Sequence, residues 1–566
     1  MSHLQDTPAG PVLSIQNLSI GTRSGQSLVR DVSFDVHAGE TVCIVGESGS
    51  GKSLTSLAVM GLLPKGVLHA TAGTAVLNGV DMLQASPAQL LRKRATEVAM
   101  VFQEPMTALN PVQRVGDQID EVLRLHTDLP RAQRKARVLA MLERVGMPDI
   151  QRIHASYPHQ LSGGQRQRIV IAMALILRPR LLIADEPTTA LDVTTQKQVL
   201  QLMKELQQEQ GTAVIFITHD FGVVSEIADR IVVMNRGDVV ETGGREEVLS
   251  RPVAAYTRLL ISSVPSLVAR FREDAAVPPV LEVIGLDKVY AERRFLGKER
   301  TTHAARDVTF AVRPGQITGI IGESGSGKTT VARCVMRLVE PTAGSIFLGG
   351  DAVQGRRSAE TTRAFVQYIF QDPYRSLNPR RTVGDSVSEG LVNGGMARDE
   401  AMTRARGALE RVGIPADALS RYPHQFSGGQ RQRICIARAV VMEPRVLVAD
   451  EAVSALDVSV QAQVLALLER LRDELNIGIL FITHDLRVAA QICNSVIVMK
   501  RGEVVEAGDA ADVLMKPKHA YTRALIAAAP ATDWDFRNFR PLDDGPPDAP
   551  FDARSRVDSL PVANGS

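Results

Sequence analysis

Two glycine-rich stretches of this chain contain the residue types that bind phosphate groups. They read Gly46-Glu47-Ser48-Gly49-Ser50-Gly51-Lys52-Ser53 and Gly322-Glu323-Ser324-Gly325-Ser326-Gly327-Lys328-Thr329. Both fit the pattern G-x-x-x-x-G-K-[ST], in which backbone N–H groups face the phosphates and the lysine reaches the β- and γ-phosphates. The hydroxyls of Ser53 and Thr329 are suited to Mg²⁺. The sequence therefore predicts two nucleotide sites.

The elements around each stretch agree with this interpretation. Apolar β-branched runs, Thr41–Val45 and Ile317–Ile321, come directly before the glycines, and helix-compatible segments follow. The N-terminus of such a helix offers partial positive charge to the same anion. A single match is possible by chance, but two copies followed by matching motifs are not a coincidence.

The motifs downstream of the two stretches recur at a constant spacing of 265 residues. The recurring pairs are Ser162 and Ser427 in two Ser-Gly-Gly-Gln runs, Asp185-Glu186 and Asp450-Glu451 after apolar strands, His219 and His484, and Tyr256 and Tyr521. One domain is therefore duplicated within the chain.

Strand-like and helical runs alternate in both halves, which predicts α/β domains with mostly parallel sheets. We expect a first domain at 11–265, a linker at 266–280 and a second domain at 281–530. Residues 531–566 are rich in Asp, Pro and Arg, a composition that predicts a disordered tail.

Composition excludes several classes of function. Lys and Arg number 65 against 63 Asp and Glu, so no basic field favours nucleic acid. The N-terminus is not typical of a secretory signal. The cysteines Cys43, Cys334, Cys435 and Cys493 form no C-x-x-C pair, which favours a reduced, cytoplasmic protein. No apolar run approaches the ~20 residues of a membrane span, so any action at a membrane would need partners.

The order of these motifs resembles that of the ATP-binding subunits of ABC transporters, over about residues 11–530. Phe102–Pro111 and Phe370–Pro379 are similar to the Q-loops of the oligopeptide/dipeptide/nickel importer subfamily. The segments Tyr157–Gln160 and Tyr422–Gln425, and the extensions around Tyr256 and Tyr521, are similar to the same subfamily.

The resemblance implies tandem P-loop NTPase domains, each with a sheet core and a helical signature subdomain, that pair head to tail. Each ATP would lie between the phosphate loop of one half and the signature of the other. Site one would combine Gly46, Ser48, Gly49, Gly51, Lys52, Ser53, Gln103, Asp185, Glu186 and His219 with Ser427 and Gly429. Site two would combine Gly322, Ser324, Gly325, Gly327, Lys328, Thr329, Gln371, Asp450, Glu451 and His484 with Ser162 and Gly164.

The resemblance also implies the role of each group. Glu186 and Glu451 would act as general bases, and His219 and His484 would contact the γ-phosphate. Mg²⁺ would be held by Ser53, Gln103 and Asp185 in one site and by Thr329, Gln371 and Asp450 in the other. Without the repeat, a carboxylate pair after a strand is more often a helix cap, and a lone histidine is more often structural.

Two positions depart from the pattern of the family. Tyr290 fits the place where an aromatic ring stacks on adenine, whereas the equivalent residue of the first half is Thr22. Ala452 replaces the proline that follows the glutamate in the first half, Pro187, which loosens that loop. We expect both sites to hydrolyse ATP, but not identically.

An importer of peptides, nickel chelates, glutathione-like compounds or other small solutes is the function that the resemblance implies. The chain would lie at the cytoplasmic face of the plasma membrane with two permease subunits, and a periplasmic or extracellular binding protein would act indirectly. Thr107–Pro111 and Arg375–Pro379 would contact the permeases. Leu109 and Leu377 either lie in that contact, which is the favoured expectation, or only pack inside their own helical subdomains. No iron–sulfur cluster is expected, because neither C-terminal extension contains cysteine.

Two other classes of protein carry tandem domains of this kind. Soluble ATPases of ribosomes have a long charged helical linker and those of DNA repair have zinc-binding cysteine pairs, neither of which occurs here. Exporter ATPases usually carry their own membrane segments or lack the tyrosine-containing extensions.

Overall fold

A computed structural model describes residues 10–103, 108–188, 191–267, 277–292, 300–353, 358–454, 456–531, 534–536 and 538–541. Each half contains a four-stranded antiparallel sheet, a six-stranded sheet that is parallel except for one edge strand, and a set of helices. The predicted duplication of an α/β domain is confirmed. The central residues of the predicted linker, 268–276, lie outside the described residues.

The two halves have the same strand order. In the first half the antiparallel sheet has the order β2-β1-β4-β5 and the larger sheet β10-β9-β3-β8-β7-β6. The strands are β1 (Leu13–Thr22), β2 (Ser27–Val36), β3 (Thr41–Val45), β4 (Leu68–Leu77), β5 (Val80–Asp81), β6 (Val98–Val101), β7 (Leu181–Asp185), β8 (Ala213–Thr218), β9 (Arg230–Asn235) and β10 (Asp238–Gly244).

In the second half the corresponding orders are β12-β11-β14-β15 and β16-β17-β18-β13-β19-β20. The strands are β11 (Leu281–Glu292), β12 (Arg300–Val312), β13 (Ile317–Ile321), β14 (Ala343–Leu348), β15 (Asp351–Ala352), β16 (Val366–Ile369), β17 (Val446–Asp450), β18 (Gly478–Thr483), β19 (Ser495–Lys500) and β20 (Glu503–Asp509).

Helices cover one face of each larger sheet, and the antiparallel sheet with the helix after the glycine-rich stretch covers the other. In the first half they are α1 (Lys52–Val59), α2 (Pro87–Lys93), α3 (Val115–His126), α4 (Arg131–Arg144), α5 (Ile150–Ala155), α6 (Gly163–Leu175), α7 (Val193–Gln210), α8 (Phe221–Ile227), α9 (Arg245–Ser250) and α10 (Ala255–Ser262). In the second half they are α11 (Lys328–Val335), α12 (Ser358–Phe365), α13 (Pro373–Ser376), α14 (Val383–Asn393), α15 (Arg398–Arg411), α16 (Gly428–Val440), α17 (Val458–Leu475), α18 (Leu486–Ile492), α19 (Ala510–Met515) and α20 (Ala520–Ala528).

Strand β3 lies between two hydrophobic cores. Val42 and Ile44 pack toward the antiparallel sheet, and Cys43 and Val45 pack toward the helices. Successive side chains of a strand point to opposite faces, so an uninterrupted apolar run is needed when both faces are covered.

In the described part of the chain, no helix has both the length and the apolarity that crossing a membrane requires.

The structure corrects the expectation for Leu109 and Leu377. Each side chain is 3% exposed and belongs to the core of its own half. They therefore hold their segments in place and do not present a contact surface. Val112, at 79%, and Tyr374, at 62%, are exposed apolar residues three positions from them in the sequence.

The two halves share their cores at the boundary. Val193, at the start of α7, belongs to the core of the second half, and Val458, at the start of α17, packs against the core of the first. The helices that begin at these residues are equivalent in the repeat, so the contact is reciprocal.

The prediction of a disordered tail is wrong for its first residues. Strands β21 (Trp534–Asp535) and β22 (Arg540–Pro541) pair, although they follow the second half. Ala531 and Phe536 are buried in the core of the first half, and Trp534 and Phe539 pack against it. Three aromatic residues within a polar segment supply the apolar area for this docking. Residues 542–566 lie outside the described residues.

We expect Phe536→Ala to weaken docking of the tail by about 3–5 kcal/mol, the usual cost of truncating a buried phenylalanine. Chymotrypsin cleavage after Phe539 should then accelerate by more than tenfold under native conditions, because the hairpin opens more often. The exposed Val253→Ala provides a control. An unchanged cleavage rate in Phe536→Ala would contradict this role of the tail.

Candidate functional site

The first glycine of each phosphate loop cannot be replaced by a residue with a side chain. Gly46 has φ 149°, and a Cβ there would lie 2.1 Å from the carbonyl oxygen of Met234. Gly322 has φ 148°, with the carbonyl oxygen of Met499 at 2.3 Å. Each loop therefore passes directly against the backbone at the end of a neighbouring strand, which fixes its position on the sheet.

The loop lysines point into the centre of their own loops. Nζ of Lys52 donates to the carbonyl oxygens of Gly46 and Glu47, both at 2.8 Å, and Nζ of Lys328 donates to those of Gly322 and Glu323 at 2.7 and 2.8 Å. Burial lowers the pKa of both amino groups. Each lysine is thus held where an anion at the loop would meet a positive charge. The predicted loop residues Ser48, Gly49 and Gly51, and Ser324, Gly325 and Gly327, complete the two turns.

The tyrosines of the C-terminal extensions support these loops, a role that the sequence did not reveal. The backbone N–H of Glu47 donates to the hydroxyl oxygen of Tyr256 at 3.2 Å, and that of Glu323 donates to Tyr521 at 3.3 Å. The recurrence of Tyr256 and Tyr521 at the 265-residue spacing is the sequence signal that could have indicated this role. The hydroxyls therefore tie each extension to the residue that follows the first loop glycine.

The predicted oxygen ligands of Mg²⁺ lie together beside each loop. The hydroxyl of Ser53 donates to Oδ1 of Asp185 at 3.1 Å, and Thr329 is 3.5 Å from Oδ1 of Asp450. Both aspartates end buried strands, and burial raises their pKa values. Hydroxyl, carboxylate and amide oxygens are a donor set that fits Mg²⁺. A cation there would offset the cost of the buried carboxylate charge.

The predicted glutamine, glutamate and histidine form one hydrogen-bonded group in each half. Nε2 of Gln103 donates to Glu186 at 2.9 Å, and Nδ1 of His219 lies 3.2 Å from the other carboxylate oxygen of Glu186. The second group repeats this, with Gln371 at 2.6 Å and His484 at 3.3 Å from Glu451. The carboxylates thus lie between a neutral amide and an imidazole.

Burial alone would lower the pKa values of the two histidines, but the hydrogen bond and charge of the glutamates raise them above the ordinary value. The protonated imidazole is therefore favoured beside each carboxylate. Burial likewise tends to raise the pKa of Glu451, but His484 outweighs it and lowers that pKa.

The backbone at both glutamates is in the left-handed region, with φ 47° at Glu186 and 48° at Glu451. Such a conformation costs a residue with a side chain about 1–3 kcal/mol and is concentrated at functional sites. A hydrogen bond from the N–H of Glu186 to the carbonyl of Ile217, at 2.9 Å, holds the turn, and Ile482 does the same for Glu451. The turn directs each carboxylate toward its histidine.

Each site receives residues from the other half. Asp192 lines a cavity of about 330 Å³ over the second phosphate loop, together with Lys328, Glu451 and His484. The hydroxyl of Ser459 donates to Glu47 of the first loop. Asp192 and Ser459 lie at the starts of the equivalent helices α7 and α17, so the halves face each other reciprocally.

The signature residues begin their helices but do not line that cavity. Ser162 and Ser427 each accept a hydrogen bond from the backbone three residues on, at 3.3 Å, and so cap α6 and α16. A Cβ on Gly164 would lie 2.3 Å from Thr195, and one on Gly429 would lie 2.3 Å from Val460. These glycines therefore bring each signature helix onto the first turn of α7 or α17. Their predicted contact with ATP stays a prediction.

Tyr290 and Thr22 occupy equivalent places at the ends of β11 and β1, as predicted by alignment. Tyr290 pairs with Thr302, which lines the cavity over the second loop, and its ring is 38% exposed. Thr22 accepts a hydrogen bond from the N–H of Gln26 at 3.1 Å. The second half thus presents an aromatic face where the first presents a small polar side chain.

The aspartates that are predicted to hold Mg²⁺ also have different neighbours. The hydroxyl of Tyr368, on β16, donates to Oδ2 of Asp450 at 2.5 Å. The equivalent residue of the first half, on β6, is Met100, which has no hydroxyl. Both oxygens of Asp450 are therefore engaged by side chains of its own half.

Comparison with known proteins agrees with this geometry. Residues 29–189 and 305–454 match the family model described as ABC transporter, and residues 240–296 and 505–550 match the one described as oligopeptide/dipeptide transporter, C-terminal region. The chain is 45% identical to the glutathione import ATP-binding protein GsiA of Salmonella paratyphi A, over 94% of this chain and 92% of that protein. The protein of the same name from Escherichia coli O157:H7 is 44% identical over the same shares.

The chain belongs to the ABC transporter family. Its two halves are fused ATP-binding domains of that family, and it is an ATPase coupled to transport. The resemblance noted from the motifs is confirmed.

We expect Tyr368→Phe to weaken metal binding at the second site by ~10-fold, because residues that orient a ligand typically change metal affinity by ~10–100-fold. Electron paramagnetic resonance of Mn²⁺ with ATP, in a Lys52→Ala background that isolates the second site, would measure it. The matched control is Met100→Leu at the equivalent position of the first half, in a Lys328→Ala background that isolates the first site. Equal Mn²⁺ affinity with and without the Tyr368 hydroxyl would contradict the role.

Replacing Tyr290 with threonine should weaken ATP binding at the second site by roughly 2–10-fold, since aromatic stacking contributes ~0.5–1.5 kcal/mol beyond burial. Thr22→Tyr should strengthen the first site by a similar factor. Titration of each site in the same lysine backgrounds would test both changes. If neither change alters affinity, adenine stacks elsewhere.

Proposed function

We propose that this chain energises import of short peptides, the class that includes glutathione, into a bacterial cell. Two regions that match the oligopeptide/dipeptide transporter model support this substrate class, as does 44–45% identity to two glutathione import proteins along almost the whole chain. The same matches favour an importer over a ribosomal ATPase, a DNA-repair ATPase or an exporter. Two permease subunits would form the membrane path at the inner face of the plasma membrane, and an external binding protein would deliver the peptide to them.

The repeated group of glutamine, glutamate and histidine beside a phosphate loop is the observation that carries the catalytic proposal. Glu186 and Glu451 act as general bases toward the attacking water, and His219 and His484 contact the γ-phosphate and hold that geometry. Bound Mg²⁺ neutralises charge on the β- and γ-phosphates. Ser53, Gln103 and Asp185 would hold it in one site, and Thr329, Gln371 and Asp450 in the other.

The lysines and loop amides bind the phosphates, and the signature residues Ser162, Gly164, Ser427 and Gly429 would complete the opposite sites when the halves close. Closure is a change of population between two arrangements. Shifting the ratio of closed to open molecules from 1:99 to 99:1 requires ~5.5 kcal/mol of differential binding, which two buried ATP molecules supply. Residues on the exposed surface near Val112 and Tyr374 would transmit that motion to the permeases.

The double variant Glu186→Gln with Glu451→Gln should retain ATP binding but lose hydrolysis by ~10²–10⁴-fold, the range for a lost general base. Uptake of labelled glutathione into proteoliposomes, with the permeases and binding protein present, should stop with it. Glu205→Gln, exposed on α7, is the control. Normal uptake in the double variant would contradict the catalytic assignment, and uptake of a nickel chelate instead of peptides would contradict the substrate class.

A further inference from the structure

Helices α8 and α18 begin two residues after the two histidines and meet at the boundary between the halves. Their second residues, Gly222 and Arg487, occupy equivalent positions in the repeat, with the same 265-residue spacing as the histidines. One position therefore has no side chain and the other has the largest cationic one. This difference lies three residues from each histidine that contacts a proposed catalytic glutamate.

The guanidinium of Arg487 crosses to the first half. Its Nη2 donates to both carboxylate oxygens of Asp220, each at 3.1 Å, and its Nε lies 3.6 Å from Asp485 of its own half. The side chain of Arg487 is 8% exposed. Although burial raises the pKa of Asp220, the charge of Arg487 outweighs it and lowers that pKa. Removing one partner of such a buried pair leaves the other charge uncompensated.

Gly222 makes room for this crossing. A Cβ on Gly222 would lie 2.4 Å from Nη1 of Arg487, so the two positions are complementary. Among the described residues, Nη1 has no protein hydrogen-bond partner. A cavity of about 110 Å³ adjoins Arg487 and is lined by both His219 and His484. That volume holds about three waters, which can satisfy the remaining N–H donors.

Arg487 contacts the turns after the two histidines unequally. Asp220 directly follows His219, and its carboxylate also accepts the N–H of Gly222 at 2.8 Å, so it caps the turn that carries this histidine. Asp485 caps the equivalent turn after His484 with bonds to its own helix, from the N–H groups of Arg487 and Val488. Gly222 provides no side chain to Asp485. Among the described residues, only the turn after the first histidine thus accepts a hydrogen bond from Arg487 across the boundary, whereas Asp485 lies 3.6 Å from Nε of the same arginine within one half.

We propose that Arg487 is a positioning residue for the first ATP site, acting through Asp220 on His219. The role rests on the proposed function of His219 at the γ-phosphate. Without the ion pair between Arg487 and Asp220, the turn after β8 would move, and His219 would no longer hold Glu186 and the γ-phosphate in their relative positions. The turn at the second site keeps the hydrogen bonds that Asp485 accepts from its own helix. Hydrolysis at the first site thereby depends on the presence of the second half.

The test measures each site alone. Glu451→Gln leaves hydrolysis at the first site and Glu186→Gln leaves it at the second. Arg487→Met, which keeps the length of the side chain without its charge, should lower kcat of the first site by about 10–100-fold, the effect of a small misplacement of catalytic groups. KM for ATP at that site should stay within about twofold, because phosphate binding is untouched. Hydrolysis at the second site should fall less, because Asp485 loses an ion pair of 3.6 Å but keeps its bonds from the N–H groups of Arg487 and Val488.

Two further variants separate positioning from a general loss of structure. Arg487→Lys keeps a charge near Asp220 and should recover most of the lost rate, whereas the exposed Arg404→Met should match its parent in both backgrounds. An equal fall at both sites, or no fall at the first, would overturn the proposal. Failure of the proposed catalytic role of the glutamates would give a different result. The Glu451→Gln parent, with Arg487 intact, would then hydrolyse ATP no faster than the variant in which both glutamates are replaced by glutamine.

Discussion

The parallel order β9-β3-β8-β7-β6, repeated in the second half, is the constraint on which both sites depend. In a parallel sheet the carboxyl ends of all strands lie at one edge. The phosphate loop follows β3, the glutamate follows β7, the histidine follows β8, and the glutamine comes two residues after β6. Four groups that are far apart in sequence therefore meet because each ends a strand. The buried apolar strands hold this edge rigid.

The reciprocal contact between halves adds a second level of dependence. Gly164 lets the signature helix pack on the first turn of α7, and Asp192 at the start of α7 lines the cavity over the opposite phosphate loop. Helix α7 therefore contacts the signature helix of its own half and also borders the nucleotide site of the other half. The repeat is not symmetric in its side chains, since tyrosines at 290 and 368 and the arginine at 487 all belong to the second half. The halves share one mechanism but position its groups by different contacts.

Sequence reasoning identified what the repeat made visible. The loop lysines, Asp-Glu pairs, histidines and glutamines come together as predicted, because their motifs are short and tied to strand ends. It favoured permease contact over core packing for Leu109 and Leu377, and their burial supports core packing. An apolar residue in a loop-like motif carries no mark of burial. Arg487 and Tyr368 were missed for another reason. Their partners are residues 267 and 82 positions away, and only the packed structure brings such pairs together.

The hairpin of β21 and β22 has a consequence for synthesis of the chain. The core of the first half includes Ala531 and Phe536, so this half is completed only after residues at the far end of the second have emerged. At ~5–20 residues per second, the stretch from Leu267 to Phe536 takes roughly 15–50 s to translate. During that interval the apolar surface that these residues later cover stays open to water. Newly made chains therefore pass through a period in which that surface is available to chaperones or to other nascent copies.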